Sequence, residues 1–315
     1  MSGVMTELSH IPVLRGEAVD MLRVRDGGMY LDGTFGGGGY ARTILDSAAC
    51  RLIAIDRDPA AVARARDFAV AYPARFEICE GRISEVSALL ESHGVTALDG
   101  AVFDLGVSSY QIDDPARGFS FRQNGPLNMQ MGGSKRDAAQ IINFCSESEI
   151  ADILYEYGDE KASRKIAKTI VERRRTQKFE TTSDLAGVIR SIVRPDKSGI
   201  DPATRSFQAL RIAVNEELSD IAAALAQAAA LLNAGGRLVV VSFHSLEDRI
   251  VKRFFADACG RLAGASRHDP AGFARAPAAR FTLVTKSAVG PSDAEMRANP
   301  RARSAKMRVM ERLAT

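Results

Sequence analysis

Leu31–Gly39 reads Leu-Asp-Gly-Thr-Phe-Gly-Gly-Gly-Gly. An apolar stretch (Met29, Tyr30, Leu31) runs into Asp32, and the glycines precede a helix-like segment beginning near Arg42. Strand, glycine turn and helix in that order let a backbone approach a nucleotide closely, because residues without a Cβ take positive φ without a clash. The carboxylate in front narrows the ligand. A dinucleotide would bring its pyrophosphate onto the N–H groups and dipole of the following helix, where Asp32 repels it. S-adenosylmethionine carries a sulfonium and an α-ammonium and no phosphate, so Asp32 attracts it. Taken alone, such a turn can also be a bare loop.

The residues around it repeat the pattern. Arg51–Pro59 (Arg-Leu-Ile-Ala-Ile-Asp-Arg-Asp-Pro) is an apolar strand ending in Asp56, with Pro59 placed in the first turn of a helix. An acidic residue at the tip of a second strand accepts both hydroxyls of an adenosine ribose. Asp58, directly before Pro59, is the better helix cap. Arg75–Gly81 alternates as a short strand, and Leu98–Ser109 is a buried strand delivering Asp104 and a small-residue loop. Four strands separated by helices predict a parallel sheet with its ligands at the carboxyl ends, where Asp32, Asp56, Ile83 and Asp104 all fall.

Strand rhythm then stops for over a hundred residues. Ile141–Tyr157, Ala162–Lys178, Ser183–Val193 and Pro202–Asn233 all read as helices, the last capped by Asp201 and stopped by Gly235–Gly236. Arg237–Phe243 is a fifth strand. Ser245 with Asp248 caps a helix over Leu246–Ala258, and Arg280–Lys286 and Ser304–Arg312 supply two late strands. The arrangement is α/β, with a helical domain inserted between the fourth and fifth strands.

Composition bounds the class. Apolar content of 46% and charged content of 26% are ordinary for a globular chain. No apolar run approaches a membrane span, and Met1–His10 lacks a signal pattern, so no membrane is expected. Cys50, Cys79, Cys145 and Cys259 show no CxxC spacing, which argues against metal sites and disulfides and for a reducing cytoplasm. Charge is unevenly placed. Lys161–Lys178 holds eight basic residues against Glu172, and Arg297–Arg312 holds six against Glu311. One such run is usually a solvated face, whereas two suggest a surface that tracks phosphates. Arg117, Phe119, Phe121 and Arg122 alternate cation and aromatic: either a platform for an unpaired base or a loop plugged into the core.

These motifs, together with His10–Leu14, Gly125–Met131, Thr204–Leu218, Ser242–Phe254 and Asn299–Ser304, make the chain resemble the bacterial ribosomal RNA small subunit methyltransferase H family, also called MraW. Ser-Phe-His-Ser-Leu-Glu-Asp-Arg at Ser242–Arg249 is specific to that family. The resemblance implies a class I S-adenosylmethionine-dependent methyltransferase sheet, Rossmann-like, over residues 1–112 and 218–315. The late strands suit its reversed terminal strand, and residues 113–217 become the inserted all-helical domain, expected to bind RNA. It implies transfer to the N4 amino group of a cytidine in the decoding region of 16S ribosomal RNA, as naked RNA or in the small ribosomal subunit. Cofactor contacts carry over to Gly38, Gly39 and Tyr40 in the turn, Asp56 on the ribose, Ile83 near the adenine, and Asp104 and Gln111 after the fourth strand. The family usually has a basic residue at Gly37, histidine at Tyr40, phenylalanine at Ile83 and proline at Tyr110. It also has Asp and Arg at Asn128 and Gln130, consistent with an ion pair replaced by an amide pair that still hydrogen-bonds.

No catalytic residue stands out; Ser109 and His244 are the candidates. His244 ends the fifth strand and reads as a catalytic base or a structural cap. A serine hydrolase built on Ser108 or Ser109, His244 and Asp104 lacks the G-x-S-x-G elbow and leaves the glycine turn unexplained. Methylation at cytosine C5 needs a thiolate that adds to the ring, and no cysteine lies at the end of the fourth or fifth strand. Loss of transfer, leaving a cofactor- and RNA-binding ribosome-assembly factor, is the alternative that Asn128 and Gln130 raise.

Overall fold

The computed structural model describes residues 12–195, 197, 199–261 and 279–314. From the N-terminal side the elements are α1 (Arg15–Leu22), β1 (Met29–Asp32), α2 (Gly39–Ser47), β2 (Arg51–Asp56), α3 (Pro59–Ala69), β3 (Phe76–Glu80), α4 (Val86–Ser92) and β4 (Leu98–Asp104). Then come α5 (Ser109–Asp113), α6 (Ala138–Phe144), α7 (Glu147–Gly158), α8 (Ser163–Arg173), α9 (Thr182–Ile192) and α10 (Thr204–Asn215). The chain continues with α11 (Glu217–Leu231), β5 (Leu232–Ser242), α12 (Ser245–Ala258), β6 (Phe281–Leu283) and β7 (Lys306–Arg312). It divides into two compact units, Met1–Gly106 with Leu218–Thr315, and Val107–Glu217. Residues 107–112, expected with the sheet, fall in the second unit.

The first unit is a seven-stranded sheet in the order β3-β2-β1-β4-β5-β7-β6. β1 to β5 run parallel, and β7 is antiparallel to both β5 and β6. That is the class I methyltransferase arrangement, including the reversed strand. Parallel strands are covered on both faces, and successive side chains here feed opposite cores. Tyr30, Leu52, Val102 and Val239 enter one cluster, while Leu31, Ile53, Phe103 and Val240 enter the other. The second unit closes a core of its own, with Ile141, Leu154, Ile170, Leu185, Ile189 and Leu210 completely buried or nearly so.

Several expected boundaries move, each for a local reason. Helix α2 starts at Gly39 rather than near Arg42, because Gly38 takes φ +77° and its carbonyl accepts the Arg42 N–H. The expected helix Ile141–Tyr157 is two helices. Cys145 is extended, and Ser146 with Glu149 forms a capping box that starts α7 afresh. The expected helix Pro202–Asn233 also breaks. Glu216 takes φ +54°, and the Asn215 amide turns back onto the carbonyls of Arg211 and Met129. Asp201 accepts the Ala203 N–H, one residue before α10 begins. Gly235 stops no helix. Residues 233–236 bulge out between the Leu98–Leu232 and Gly100–Arg237 pairings, where Gly235 takes φ +77°. Finally, α12 is capped by His244 with Glu247, not by Ser245 with Asp248. Asp248 instead holds Arg308 (2.7 Å) and Lys306 (3.3 Å) of β7.

Candidate active site

The glycine turn ties three strand ends together. After β1, the Gly33 N–H donates to Val102 O and the Phe35 N–H to Ile55 O. Gly33 has no substitute, since a Cβ there would lie 2.1 Å from the Phe103 ring. Thr34 joins two acids. Its N–H donates to Asp32 Oδ1 (3.1 Å), and its Oγ1 accepts the Asp104 N–H (2.7 Å). The Gly36 N–H donates to Asp56 Oδ2 at 2.8 Å, and the Gly36 carbonyl accepts Arg64 Nη2 at 3.1 Å. At Gly39 a Cβ would lie 2.3 Å from Pro12 Cγ, so the backbone packs there without room for a side chain.

Three carboxylates therefore share the carboxyl edge of the sheet, at the ends of β1, β2 and β4. Burial lifts the Asp32 carboxyl to about 7, opposed by the Thr34 N–H and reinforced by Asp56. Burial, then Asp32, then Glu247 raise Asp104 well above the carboxylate range. Asp56 is raised by burial against the Asp58 and Gly36 N–H groups. Asp32 Oδ2 and Asp104 Oδ1 are buried and lack a hydrogen-bond partner among the described residues. Buried acids of like charge without a counter-cation favour a cationic ligand, which relieves their repulsion. The glycine cradle, the orphaned oxygens and the strand-tip carboxylate of Asp56 fit S-adenosylmethionine.

Other expected contacts fall in different settings. Tyr40 is buried in the sheet core, and its hydroxyl donates to Val13 O. Ile83 opens a 3-10 turn after β3, two residues beyond Gly81, whose N–H donates to Asp56 O. Gln111 belongs to the second unit. It is buried, and its Oε1 accepts the Ser108 N–H at 3.0 Å within the capping box of α5. Ser109 is the first residue of that helix. His244 is the N-cap of α12; Nδ1 accepts the Glu247 N–H at 3.4 Å and Nε2 lies 3.1 Å from Glu247 Oε1. Sequence reasoning misses Thr34 and the fully buried Glu247, whose Oε2 accepts the Phe243 and His244 N–H groups. A Thr two residues after a strand-end Asp is an Asx-turn signal that points to the first.

The basic runs sort into structural and exposed cations. Arg173 pairs with Asp184 at 3.0 Å and lies over the Phe179 ring, while Arg174 donates to Ile142 O and Cys145 O, both at 2.7 Å. Arg164, Lys165 and Lys168 lie exposed opposite the buried Ile166–Ala167–Ile170 face of α8, and Lys161 is exposed just before the helix. In the late run, Lys306 and Arg308 hold Asp248, and Arg312 donates to Ala230 O and Leu232 O. The loop at Arg117–Arg122 is a plug. Phe119 and Phe121 pack on the second unit's core, Phe121 edge-on to Phe207 at 4.9 Å. Asn128 and Gln130 do not bond each other through their side chains. Asn128 Oδ1 accepts the Gln130 N–H (2.8 Å), and Gln130 Nε2 donates to Ser134 O (3.1 Å).

Among the described residues, no helix is long and apolar enough to cross a membrane. Comparison with known proteins matches the MraW methylase family over residues 7–313. The chain is 63% identical over 308 residues to the ribosomal RNA small subunit methyltransferase H of Acidiphilium cryptum, covering 98% of each. It is 55% identical to the protein of that name from Granulibacter bethesdensis, covering 96% of this chain and 91% of that one. With the one from Paramagnetospirillum magneticum it shares 51% over 98% of both. Topology, glycine cradle and near-complete alignment agree: the chain belongs to the MraW methylase family.

Proposed function

We propose that the protein transfers the methyl group of S-adenosylmethionine to the N4 amino group of a cytidine in 16S ribosomal RNA, in the cytoplasm, with the helical second unit binding RNA. The observation carrying this reading is the pair of orphaned carboxylate oxygens on Asp32 and Asp104 beside the glycine cradle, in a chain matching its relatives almost end to end. When bound, S-adenosylmethionine supplies an electrophilic methyl on a sulfonium. The chain's part is to hold and orient. Each Asp56 oxygen already takes one backbone N–H and keeps a lone pair for a ribose hydroxyl. Asp32 and Asp104 contribute the charge that selects a cation.

The cytosine amine is a poor nucleophile, because its lone pair is delocalised into the ring. The base must be splayed out and its amine turned in line with the departing sulfur. A single-stranded RNA segment meets that need, and the exposed cations of α8 suit its phosphates. The test is incubation with labelled S-adenosylmethionine and either small subunits or naked 16S RNA, followed by nucleoside mass spectrometry. N4-methylcytidine is the expected product. Binding of both ligands without transfer would establish the assembly-factor reading that Asn128 and Gln130 raise.

A further inference from the structure

Phe144 is one of two exposed aromatics among the described residues of the second unit. It ends α6 with 69% of its surface in solvent, while the other aromatics of the second unit apart from Tyr155 are buried or half-buried. A single exposed apolar side chain is ordinary. What sets this one apart is how firmly its surroundings are built. The Asn143 amide clamps the backbone of Phe179, donating to its carbonyl at 2.8 Å and accepting its N–H at 2.9 Å. Arg174 fastens the end of α8 to the end of α6 through Ile142 O and Cys145 O. Arg173 lies 4.3 Å from the Phe179 ring centroid. These contacts anchor Arg174 and Phe179 to the end of α6, and Lys178 Nζ comes to 5.2 Å from the Phe144 ring centroid. Arg175 is exposed nearby in sequence, and the outward face of α8 continues the positive charge through Lys168, Lys165 and Arg164, with Lys161 exposed just before the helix.

We propose that Phe144 is a stacking platform for an unpaired RNA base, with Lys178 and Arg175 on the flanking phosphates and the outward face of α8 tracking the strand beyond. The inference rests on the RNA-directed reading above and assigns that surface its residues. An exposed aromatic among cations matches single-stranded nucleic acid, whose every base has a π-face and whose backbone is anionic. A duplex, with its bases already stacked, gives the ring nothing to bind.

The experiment uses the full chain and a short single-stranded oligoribonucleotide, an abasic backbone of the same length, and the corresponding duplex. The sequence has no Trp, so Phe144→Trp introduces a lone fluorophore at the platform. Its emission should be quenched by the oligonucleotide, and far less by the abasic strand or the duplex. Phe144→Ala should weaken oligonucleotide binding roughly 5- to 150-fold, the range for removing one base–aromatic stack, with its salt dependence unchanged. Lys178→Gln should reduce the magnitude of the log–log salt slope by about 0.7. Melting temperature and S-adenosylmethionine affinity should stay at wild-type values in all three. Wild-type oligonucleotide affinity in Phe144→Ala, or equal quenching by all three probes, overturns the platform while leaving the methyltransferase reading intact. A wild-type chain that binds S-adenosylmethionine but neither the oligonucleotide, 16S RNA nor small subunits overturns both.

Discussion

The Gly36 N–H donates to Asp56 Oδ2 at 2.8 Å, so the acid at the tip of β2 also pins the glycine turn that follows β1. The ligand role proposed for Asp56 therefore falls on a side chain that also holds the scaffold. Asp56→Ala should weaken S-adenosylmethionine binding by at least roughly tenfold, the equivalent of one charge-assisted hydrogen bond, and also lower stability. It leaves the Gly36 and Asp58 N–H groups without their acceptor, at about 1–3 kcal/mol for each that stays dry. Asp56→Asn retains one acceptor oxygen and should recover part of the stability but little of the affinity. Calorimetric titration alongside thermal melts separates the two effects, and unchanged affinity in both variants would remove Asp56 from the site.

Asp32 and Asp104 make binding and stability depend on pH. Asp32 titrates at about 7 in the folded chain, above its unfolded value, so the folded state holds the proton more tightly. That contribution to stability is fully present below about pH 4 and is lost as pH rises through 7. The ligand-free protein should therefore lose melting temperature from about pH 4 to about pH 7 more steeply than Asp32→Asn does. A cationic ligand has the opposite preference, since it favours the ionised acids. S-adenosylmethionine affinity should rise between about pH 6 and about pH 8, with proton release seen as a buffer-dependent heat. An affinity flat across that interval in every buffer would contradict the linkage.

His244 separates cap from catalyst. As N-cap of α12, its replacement by Ala should cost about 1 kcal/mol, whereas Asn, a strong cap, should restore most of it. If the cap is its whole role, methyl transfer by His244→Asn should match wild type once both are assayed well below their melting temperatures. Turnover lost equally in both variants would assign the imidazole a part in the reaction.

The basic run on α8 divides into two groups with opposite outcomes. Changing Arg174 to Ala should destabilise the second unit, because two carbonyls at the end of α6 lose their donor. Lys161, Arg164, Lys165 and Lys168 changed together to Gln should leave the melt in place. That variant should flatten the salt dependence of RNA binding by about 0.7 for each phosphate no longer neutralised. An unchanged slope would make the face merely solvated.

Local rules make part of this molecule legible in its amino-acid sequence. Apolar runs and turn residues place Asp32, Asp56 and Asp104 at strand ends, and Asp58 before Pro59 announces its cap, which the Ala60 N–H completes. What the sequence hides is pairwise. Nothing near Thr34 says that its hydroxyl accepts an N–H from Asp104, about seventy positions away. Eight basic residues in one run look alike, yet Arg173 and Arg174 are consumed by Asp184 and two carbonyls that only folding brings near. Continuous apolar periodicity masks the helix breaks at Cys145 and Glu216, although the Ser146–Glu149 capping box is readable. Phe119 and Phe121 stand out by their spacing but pack inward, while the exposed ring at Phe144 carries no such pattern.

At Asn128 and Gln130 the structure reverses the expectation drawn from sequence. Had the two amides replaced an ion pair by bonding each other, a single charge at either position would stand unpartnered and cost stability. Instead each side chain bonds backbone: Asn128 Oδ1 takes the Gln130 N–H, and Gln130 Nε2 reaches Ser134 O. A carboxylate at 128 accepts the same N–H, and a guanidinium at 130 can donate to the same carbonyl. Asn128→Asp and Gln130→Arg should therefore each be tolerated within about 0.5 kcal/mol, and the double variant should be additive within about 0.5 kcal/mol. A coupling beyond that range would show that the charges find each other, as in an ion pair. The same four proteins, assayed for transfer to small-subunit RNA, address chemistry. The backbone roles predict equal turnover throughout, whereas a rate raised by Asn128→Asp alone would mark the carboxylate as a participant in the reaction.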